Sequence, residues 1–328
     1  MRTIQFREAV CEAMSEEMRR DDRVFLLGEE VAEYNGAYKA SKGMLDEFGP
    51  ERVIDTPISE LGFSAIAVGA AMNGLRPIVE FMTWNFAVLA SDQIINHASK
   101  MLQMSGGQFG CPIVFRGPNG QAGQLAATHS QAYESLYASM PGLKVVTPFT
   151  PYDAKGLLKS AIRGEDPVLF LEHKALYRQG PARRPEPHAD YLVPLGKAAV
   201  ARPGTDLTIV TWGAIVYKAL NVAKALEKEG VSVEVIDLRS ILPLDTEAIL
   251  RSVKKTGRAL VAYEDHEFMG FGAEVAAQVS DAAFGYLDAP VKRVAGAFSS
   301  IPYADVLEKE VRPQDDDVLA GARAVLGY

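Results

Sequence analysis

Short apolar segments typical of strands alternate with helical patterns through both halves of the chain. In the first half, strand patterns cover residues 24–27, 53–55, 77–81, 113–115, 145–147 and 168–171. Helical patterns lie between most of them, at residues 5–19, 59–72, 89–104, 131–140 and 152–163. Because apolar strands separated by helices form parallel sheets with helices on both faces, the sequence predicts a doubly wound α/β domain.

A proline-rich stretch interrupts this alternation between about residues 173 and 206. It contains Pro181, Pro185, Pro187, Pro194 and Pro203, and proline at this density breaks periodic structure. Strand patterns resume at 207–211, 233–237, 259–263 and 291–294, with helical patterns at 216–229, 246–256, 274–284 and 317–326. We therefore predict a first domain over residues 1–185, a linker over 186–206 and a smaller α/β domain over 207–328.

Composition narrows the classes of partner and compartment. The 328 residues carry a net charge of −8, which argues against a nucleic-acid partner. The two cysteines, Cys11 and Cys111, have no metal-ligand spacing and are predicted to be buried, reduced thiols. No apolar run is long enough to predict a membrane span, and four glutamates in the first 20 residues disfavour a targeting peptide. A mature or cytoplasmic protein fits these observations.

Common nucleotide-binding motifs are missing. The nearest candidate, Gly270-Phe271-Gly272, lacks the third glycine and the acidic residue of a dinucleotide fingerprint. The sequence also contains no Walker motif and no Gly-x-Ser-x-Gly elbow. These observations disfavour a nicotinamide-dependent oxidoreductase.

Glu60 is the most informative single residue. It opens an uncharged helical pattern that follows Ser59, a suitable N-cap, and the pattern predicts a helix buried on all sides. The helix dipole favours the carboxylate there, whereas desolvation favours the neutral acid, so the charge state of Glu60 is tunable. The plain alternative is an acidic residue that only complements the dipole.

Two further segments have the character of a site. The run 81–86 ends a strand and holds Met82 and Phe86, which places it to line a ligand crevice, although packing in the core explains such a cluster as well. A glycine-rich loop follows the next strand and leads to His129. Long polar loops at strand ends usually carry function, but a lone histidine can also be structural.

The segments 55–60, 80–83, 115–120 and 129–131 together resemble the beta subunits of thiamine-diphosphate-dependent 2-oxo acid dehydrogenases, most closely those that act on pyruvate. The resemblance continues through 141–146 and 153–157 to 235–239. It implies a pyrimidine-binding domain followed by a transketolase-type C-terminal domain. It also implies an enzyme that decarboxylates pyruvate oxidatively and acetylates lipoyl groups on an acyltransferase core.

Roles for individual residues follow from this resemblance. It implies that Glu60 hydrogen-bonds a pyrimidine nitrogen of thiamine diphosphate and helps to activate the cofactor by sharing a proton. Phe86 would stack on the pyrimidine ring, and Met82 would line its pocket. His129 would act in later steps, by stabilising the intermediate or guiding acyl transfer to a lipoyl group.

The resemblance also implies a monovalent cation, usually potassium, held mainly by backbone carbonyls. The matching positions are Ile113, Ala161, Ile162, Gly164 and Asp166. Gly164 departs from the family form, which has an acidic residue there. An acidic turn that ends at Pro167 is an equally good interpretation of this segment.

The chain has no Gly-Asp-Gly motif, through which enzymes of this kind hold the Mg²⁺ that binds the diphosphate. A separate alpha subunit is therefore expected to supply that half of the site in an alpha2beta2 heterotetramer. A branched-chain 2-oxo acid or acetoin is the alternative substrate. A non-catalytic assembly subunit is the alternative of another class.

Overall fold

The computed structural model describes residues 3–121, 123–177 and 190–328. The chain divides into two compact units, Met1–Asn119 with Leu136–Leu195, and Gly120–Ser135 with Gly196–Tyr328. The segment Gly120–Ser135 thus belongs to the second unit, whereas the prediction places it within a first domain of residues 1–185. Backbone hydrogen bonds to carboxylates of the second unit account for this difference.

The first unit contains a parallel sheet, as the alternating pattern predicts. Its strands pair in the order β5-β6-β4-β3-β1-β2. All residues of β3, β4 and β6 are buried, which is typical of strands covered on both faces. The strands are β1 (Val24–Gly28), β2 (Val53–Asp55), β3 (Arg76–Glu80), β4 (Val114–Asn119), β5 (Lys144–Val146) and β6 (Val168–His173).

Helices α1 to α7 occur in this part of the sequence. They are α1 (Phe6–Arg20), α2 (Met44–Phe48), α3 (Glu60–Met72), α4 (Trp84–Ala87), α5 (Met101–Met104), α6 (Glu134–Ala138) and α7 (Pro151–Arg163). The predicted helix over 89–104 is instead broken into a 3-10 turn, a π-helix at Gln93–Ala98 and α5. Ser91 and Ser99 donate hydrogen bonds to the carbonyls of Val88 and Ile95, and such side-chain bonds compete with a regular helix.

A ladder of ion pairs joins α1 to α7. Lys159 is buried and pairs with Glu16, and Arg163 forms two hydrogen bonds with the buried Glu17. Burial acts to raise the pKa of Glu16, but hydrogen bonds from Lys155 and Lys159 outweigh it and leave that pKa below its usual range. These pairs link α1 to α7 at two positions of each helix.

The second unit has its own sheet, with strands in the order β12-β11-β8-β9-β7. The strands of this part are β7 (Ala199–Arg202), β8 (Leu207–Thr211), β9 (Val233–Asp237), β10 (Ser240–Leu242), β11 (Ala259–His266) and β12 (Lys292–Gly296). The helices are α8 (Ile215–Glu227), α9 (Thr246–Thr256), α10 (Phe271–Ala282), α11 (Asp305–Val311) and α12 (Asp315–Leu326). All of its neighbouring strands are parallel except β7, which pairs antiparallel with β9.

The predicted linker over 186–206 differs from the structure in its described part. Residues 199–202 form β7 at the edge of the second sheet, so this stretch is not merely a connection. Pro194 and Pro203 flank the strand instead of interrupting it, and an edge position tolerates nearby proline. Residues 178–189, with three of the prolines, lie outside the described residues.

Two general expectations can be compared with the described residues. Cys11 and Cys111 are free thiols; Cys111 is buried as predicted, whereas Cys11 is only half-buried. Burial raises the pKa of Cys11 to about 11 and that of Cys111 to about 12. Within the described ranges, none of the helices has the length and apolarity needed to cross a bilayer.

Candidate active site

The carboxyl edge of the first sheet collects most of the predicted site residues. Glu29 directly follows β1, Glu60 begins the helix after β2, and Met82 and Phe86 follow β3. Because β2 and β3 both pair with β1 in parallel register, these strand ends lie side by side. A crevice outside the carboxyl ends of parallel strands is the usual ligand site in such a sheet.

Glu60 is the first residue of α3 and is only 3% exposed. Ser59 holds the N-cap position, but its side chain forms no capping hydrogen bond with the residues described. The expectation that α3 is buried on all sides is wrong for the chain by itself, since Ile66 is 68% exposed and Leu61 is also exposed. Helix α3 therefore buries its one acidic residue, Glu60, and exposes apolar residues to solvent.

Glu29 is a neighbour of Glu60 that sequence analysis missed. It is buried, and its pKa is raised to about 7 by burial, by the like charge of Glu60 and by a hydrogen bond with Glu60. Two carboxyl groups in contact favour a state in which one of them keeps a proton. The one feature of the sequence that could have indicated Glu29 is the position of an acidic residue directly after a buried strand.

The 81–86 segment divides between packing and the crevice. Phe81 and Trp84 are fully buried and pack against each other, with Phe81 also stacked on Phe115. Met82 and Phe86 are only half-buried. The core interpretation thus holds for Phe81 and Trp84, while Met82 and Phe86 remain accessible to a ligand.

Arg116 occupies a buried ionic network below this edge. Its guanidinium donates two hydrogen bonds to Glu172, at 2.5 and 2.6 Å, and another to Glu80. Tyr177 donates to Glu172 as well, at 2.8 Å. These hydrogen bonds from Arg116 join strands β3, β4 and β6. Because Arg116 is buried from solvent, it is not an open substrate contact.

His129 ends a short 3-10 helix, Ala127–His129, and is half-buried. Its Nδ1 lies 2.9 Å from the hydroxyl oxygen of Thr128. His129 belongs to the second unit, whereas Glu60, Met82 and Phe86 belong to the first.

Carboxyl groups of the second unit cluster near the ends of the segment Gly120–Ser135, which contains His129. Burial, together with the charges of Asp265 and Glu264, raises the pKa of Glu134 to about 8. Asp265 accepts a hydrogen bond from Ser135, and Glu264 accepts one from the backbone N–H of Gln121 at 2.6 Å. No local pattern in the sequence predicts this cluster, because Glu134 is far along the chain from the adjacent residues Glu264 and Asp265.

The positions implied for a potassium ion already have hydrogen-bond donors. One nitrogen of the Arg76 guanidinium donates to the carbonyls of Ile162 and Gly164, at 2.9 and 2.7 Å. The carbonyls of Ala161 and Ile113 accept backbone N–H groups, and Asp166 pairs with Lys144. A guanidinium on two of the oxygens repels a second cation, so this set does not fit a monovalent ion as arranged.

The described residues contain no group of three or more His, Cys, Asp or Glu side chains that could hold a metal ion. The first unit nevertheless fits the pyrimidine half of thiamine diphosphate in its chemistry. It offers a buried acid at Glu60, an accessible aromatic ring at Phe86 and a polarizable side chain at Met82.

Comparison with known families agrees with this geometry. Residues 2–180 match the family model for the transketolase pyrimidine-binding domain, and residues 196–318 match that for the transketolase C-terminal domain. The predicted α/β fold class is confirmed by these matches. Their limits lie close to the division between the two units at residue 195.

Curated relatives are similar over nearly the full chain. The beta subunit of the pyruvate dehydrogenase E1 component from Rhizobium meliloti (strain 1021) is 52% identical, over 99% of this chain and 70% of the relative. The corresponding protein of Rickettsia felis is 51% identical over 99% of both chains. The mitochondrial beta-2 subunit of Oryza sativa subsp. japonica is 53% identical, over 97% of this chain and 85% of the relative.

A solved structure shows the same architecture. It is a split-gene transketolase described as an inactive beta4 tetramer, 25% identical to this chain. The TM-score is 0.79, and the alignment covers 99% of both chains.

Proposed function

This chain belongs to the family of pyruvate dehydrogenase E1 beta subunits, and we propose that it forms half of a thiamine diphosphate site that a separate alpha subunit completes. The proposed reaction is oxidative decarboxylation of pyruvate with transfer of the acetyl group to lipoyl groups on an acyltransferase core. The proposed assembly is an alpha2beta2 heterotetramer.

The observation that carries this proposal is the contrast within α3. Glu60 is buried at the start of the helix, while Leu61 and Ile66 on the same helix are exposed. Exposed apolar residues on a helix with no charged residue after its first position are typical of a subunit interface. An alpha subunit seated there would cover this face and bring its part of the site next to Glu60.

Each residue then has a defined task. Thiamine diphosphate, when bound, supplies the carbanion-stabilising chemistry that decarboxylation of a 2-oxo acid needs. Glu60 would hydrogen-bond the pyrimidine ring, and the pKa of the adjacent Glu29, raised to about 7 by burial and by Glu60, keeps a proton within this pair near neutral pH. Phe86 and Met82 bind the pyrimidine ring and exclude water from it.

His129 would act after decarboxylation, by guiding acyl transfer to the lipoyl group. Mg²⁺ would be held by the alpha subunit, because this sequence has no Gly-Asp-Gly motif. The family resemblance implies potassium binding, but the hydrogen bonds from Arg76 to the carbonyls of Ile162 and Gly164 disfavour it. The relatives include bacterial proteins and mitochondrial plant proteins, so a bacterial cytoplasm is proposed and a mitochondrial matrix is the alternative.

Pyruvate is the proposed substrate because the named relatives are pyruvate dehydrogenase subunits. Turnover of pyruvate and of 3-methyl-2-oxobutanoate by the reconstituted pair separates the main proposal from the branched-chain alternative. A higher kcat/KM for the branched substrate would overturn the assignment of pyruvate.

Reconstitution tests the shared site. The chain, a candidate alpha chain and the co-expressed pair are each titrated with thiamine diphosphate and Mg²⁺ by calorimetry and assayed for pyruvate decarboxylation. We expect binding and turnover by the pair alone, with a mass that fits two copies of each chain. Decarboxylation by this chain without an alpha subunit would contradict the proposal.

A further inference from the structure

Two carboxylates of the second unit hold the backbone of the His129 loop, Gly120–Ser135. Glu264, near the end of β11, accepts the N–H of Gln121 at 2.6 Å. Glu308, on α11, accepts the N–H of Gln124 at 2.9 Å. Both bonds are charge-assisted and are therefore stronger than ordinary backbone hydrogen bonds. The loop is thus fixed by residues about 140 and 180 positions away in the sequence.

Glu308 reverses the usual pattern of a surface helix. It is 1% exposed, whereas its neighbours Val306 and Leu307 on α11 are exposed. Its Oε2 accepts from Gln124, but its Oε1 is buried without a hydrogen-bond partner among the residues that the structure describes. A buried carboxylate with one oxygen unsatisfied is costly. A helix selected only for packing would bury valine or leucine at this position.

The part of the loop that Glu308 holds has a strained backbone. Gln124 and Ala126 have φ angles of 60° and 63°, in the left-handed region that side chains other than glycine rarely adopt. The N–H of His129 donates to the carbonyl of Ala126 at 3.2 Å. Such a conformation persists only where the surroundings enforce it. The bond to Glu308 is one such constraint, and it acts on the turn that leads directly into His129.

We propose that Glu308 is a positioning residue for His129. A residue of α11 then sets the position of a side chain that the reaction uses. The proposal rests on the role proposed above for His129 in acyl transfer. Without the carboxylate, the turn at Gln124 relaxes, and His129 moves away from its working position. A displacement of about 1 Å in a positioned group can reduce a rate by about 100-fold.

The test uses the heterotetramer reconstituted with its alpha subunit and two assays on each variant. Decarboxylation of pyruvate is followed with ferricyanide as electron acceptor, and acyl transfer is followed by acetylation of a lipoyl domain. We expect Glu308→Ala to lower the ratio of lipoyl acetylation to decarboxylation by at least about tenfold. Glu308→Gln keeps an acceptor oxygen for Gln124 and should restore most of that ratio. Glu310→Gln is the matched control, because Glu310 is an exposed glutamate on the same helix.

A uniform loss in both assays, or equal ratios for Glu308→Ala and Glu310→Gln, would overturn the positioning role. If Glu308→Ala does not assemble, Glu308→Asp replaces it, because it keeps the charge but shortens the reach by one methylene. His129→Ala is measured alongside. If His129→Ala leaves the ratio unchanged, the role proposed for His129 is wrong. If it lowers the ratio while the Glu308 variants do not, only the inference about Glu308 is wrong.

Discussion

Glu29 and Glu60 form a pair of buried carboxyl groups at the carboxyl edge of the first sheet. Burial, together with the charge of Glu60 and a hydrogen bond with it, raises the pKa of Glu29 to about 7. A pair of this kind keeps one proton near neutral pH, and a proton held there is available to a cofactor bound against Glu60. The two residues come from different strand ends, and the parallel register of β1 and β2 brings them together.

The raised pKa of Glu29 predicts a pH-dependent effect on stability. The unfolded chain releases this proton near pH 4.5 and the folded chain near pH 7, so ionisation of Glu29 destabilises the fold as pH rises between these values. The free energy of unfolding of Glu29→Gln, relative to that of the wild type, should therefore be higher at pH 8 than at pH 5. Urea denaturation at both pH values measures this, with the exposed neighbour Glu30→Gln as control. An equal difference at both pH values would contradict the assignment.

Phe86 should contribute to cofactor binding more than to the chemical step. Loss of an aromatic contact of this kind costs about 1 kcal/mol or more, and 1.4 kcal/mol corresponds to a tenfold change in affinity. Phe86→Ala should raise the Kd for thiamine diphosphate by about tenfold in the reconstituted enzyme, as measured by calorimetry. Phe284→Ala is the control, because Phe284 is an exposed residue of the second unit. An unchanged Kd for Phe86→Ala would remove this residue from the site.

The ladder between α1 and α7 should stabilise the first unit. Glu17 is buried and forms two hydrogen bonds with Arg163, which keeps some contact with solvent. Glu17→Ala should lower the free energy of unfolding by about 2 kcal/mol, less than the ~3–5 kcal/mol of a fully buried pair. Glu47→Gln, which breaks the exposed pair with Arg19, should cost less than about 1 kcal/mol. Similar losses for both variants in denaturant titrations would show that burial of this ladder is unimportant.

Potassium should have little effect on stability, because Arg76 occupies the carbonyls of Ile162 and Gly164. The melting temperature of the reconstituted complex is compared in potassium chloride and choline chloride at equal ionic strength. We expect a difference below about 1 °C, since 1 kcal/mol corresponds to about 2–4 °C for domains of 150–250 residues. A saturable rise of several degrees with potassium alone would show that the ion binds despite the guanidinium.

Features that depend on local pattern could be predicted from the sequence. The buried strand β3 and the first two residues of β4 appear as apolar runs, and α3 appears as a helix with no charged residue after Glu60. The rest of β4, residues 116–119, was predicted to be a loop because it contains no apolar run. The edge strand β7 was missed because it is short and lies in a proline-rich stretch. Pairs distant in sequence left no local trace, as with Glu29 and Glu60, Arg76 and Gly164, or Gln124 and Glu308. The outward apolar face of α3 likewise required the fold, because periodicity alone does not distinguish a core from an interface.

The most direct test of the account is the rate of pyruvate decarboxylation by Glu60→Gln in the reconstituted heterotetramer. The substitution keeps the shape of the side chain but removes the group that shares a proton, and the exposed Glu51→Gln is the control. We expect the mass of the complex to be unchanged and the rate to fall by about 10²- to 10⁴-fold. A Glu60→Gln enzyme that decarboxylates pyruvate at the wild-type rate would contradict the central claim.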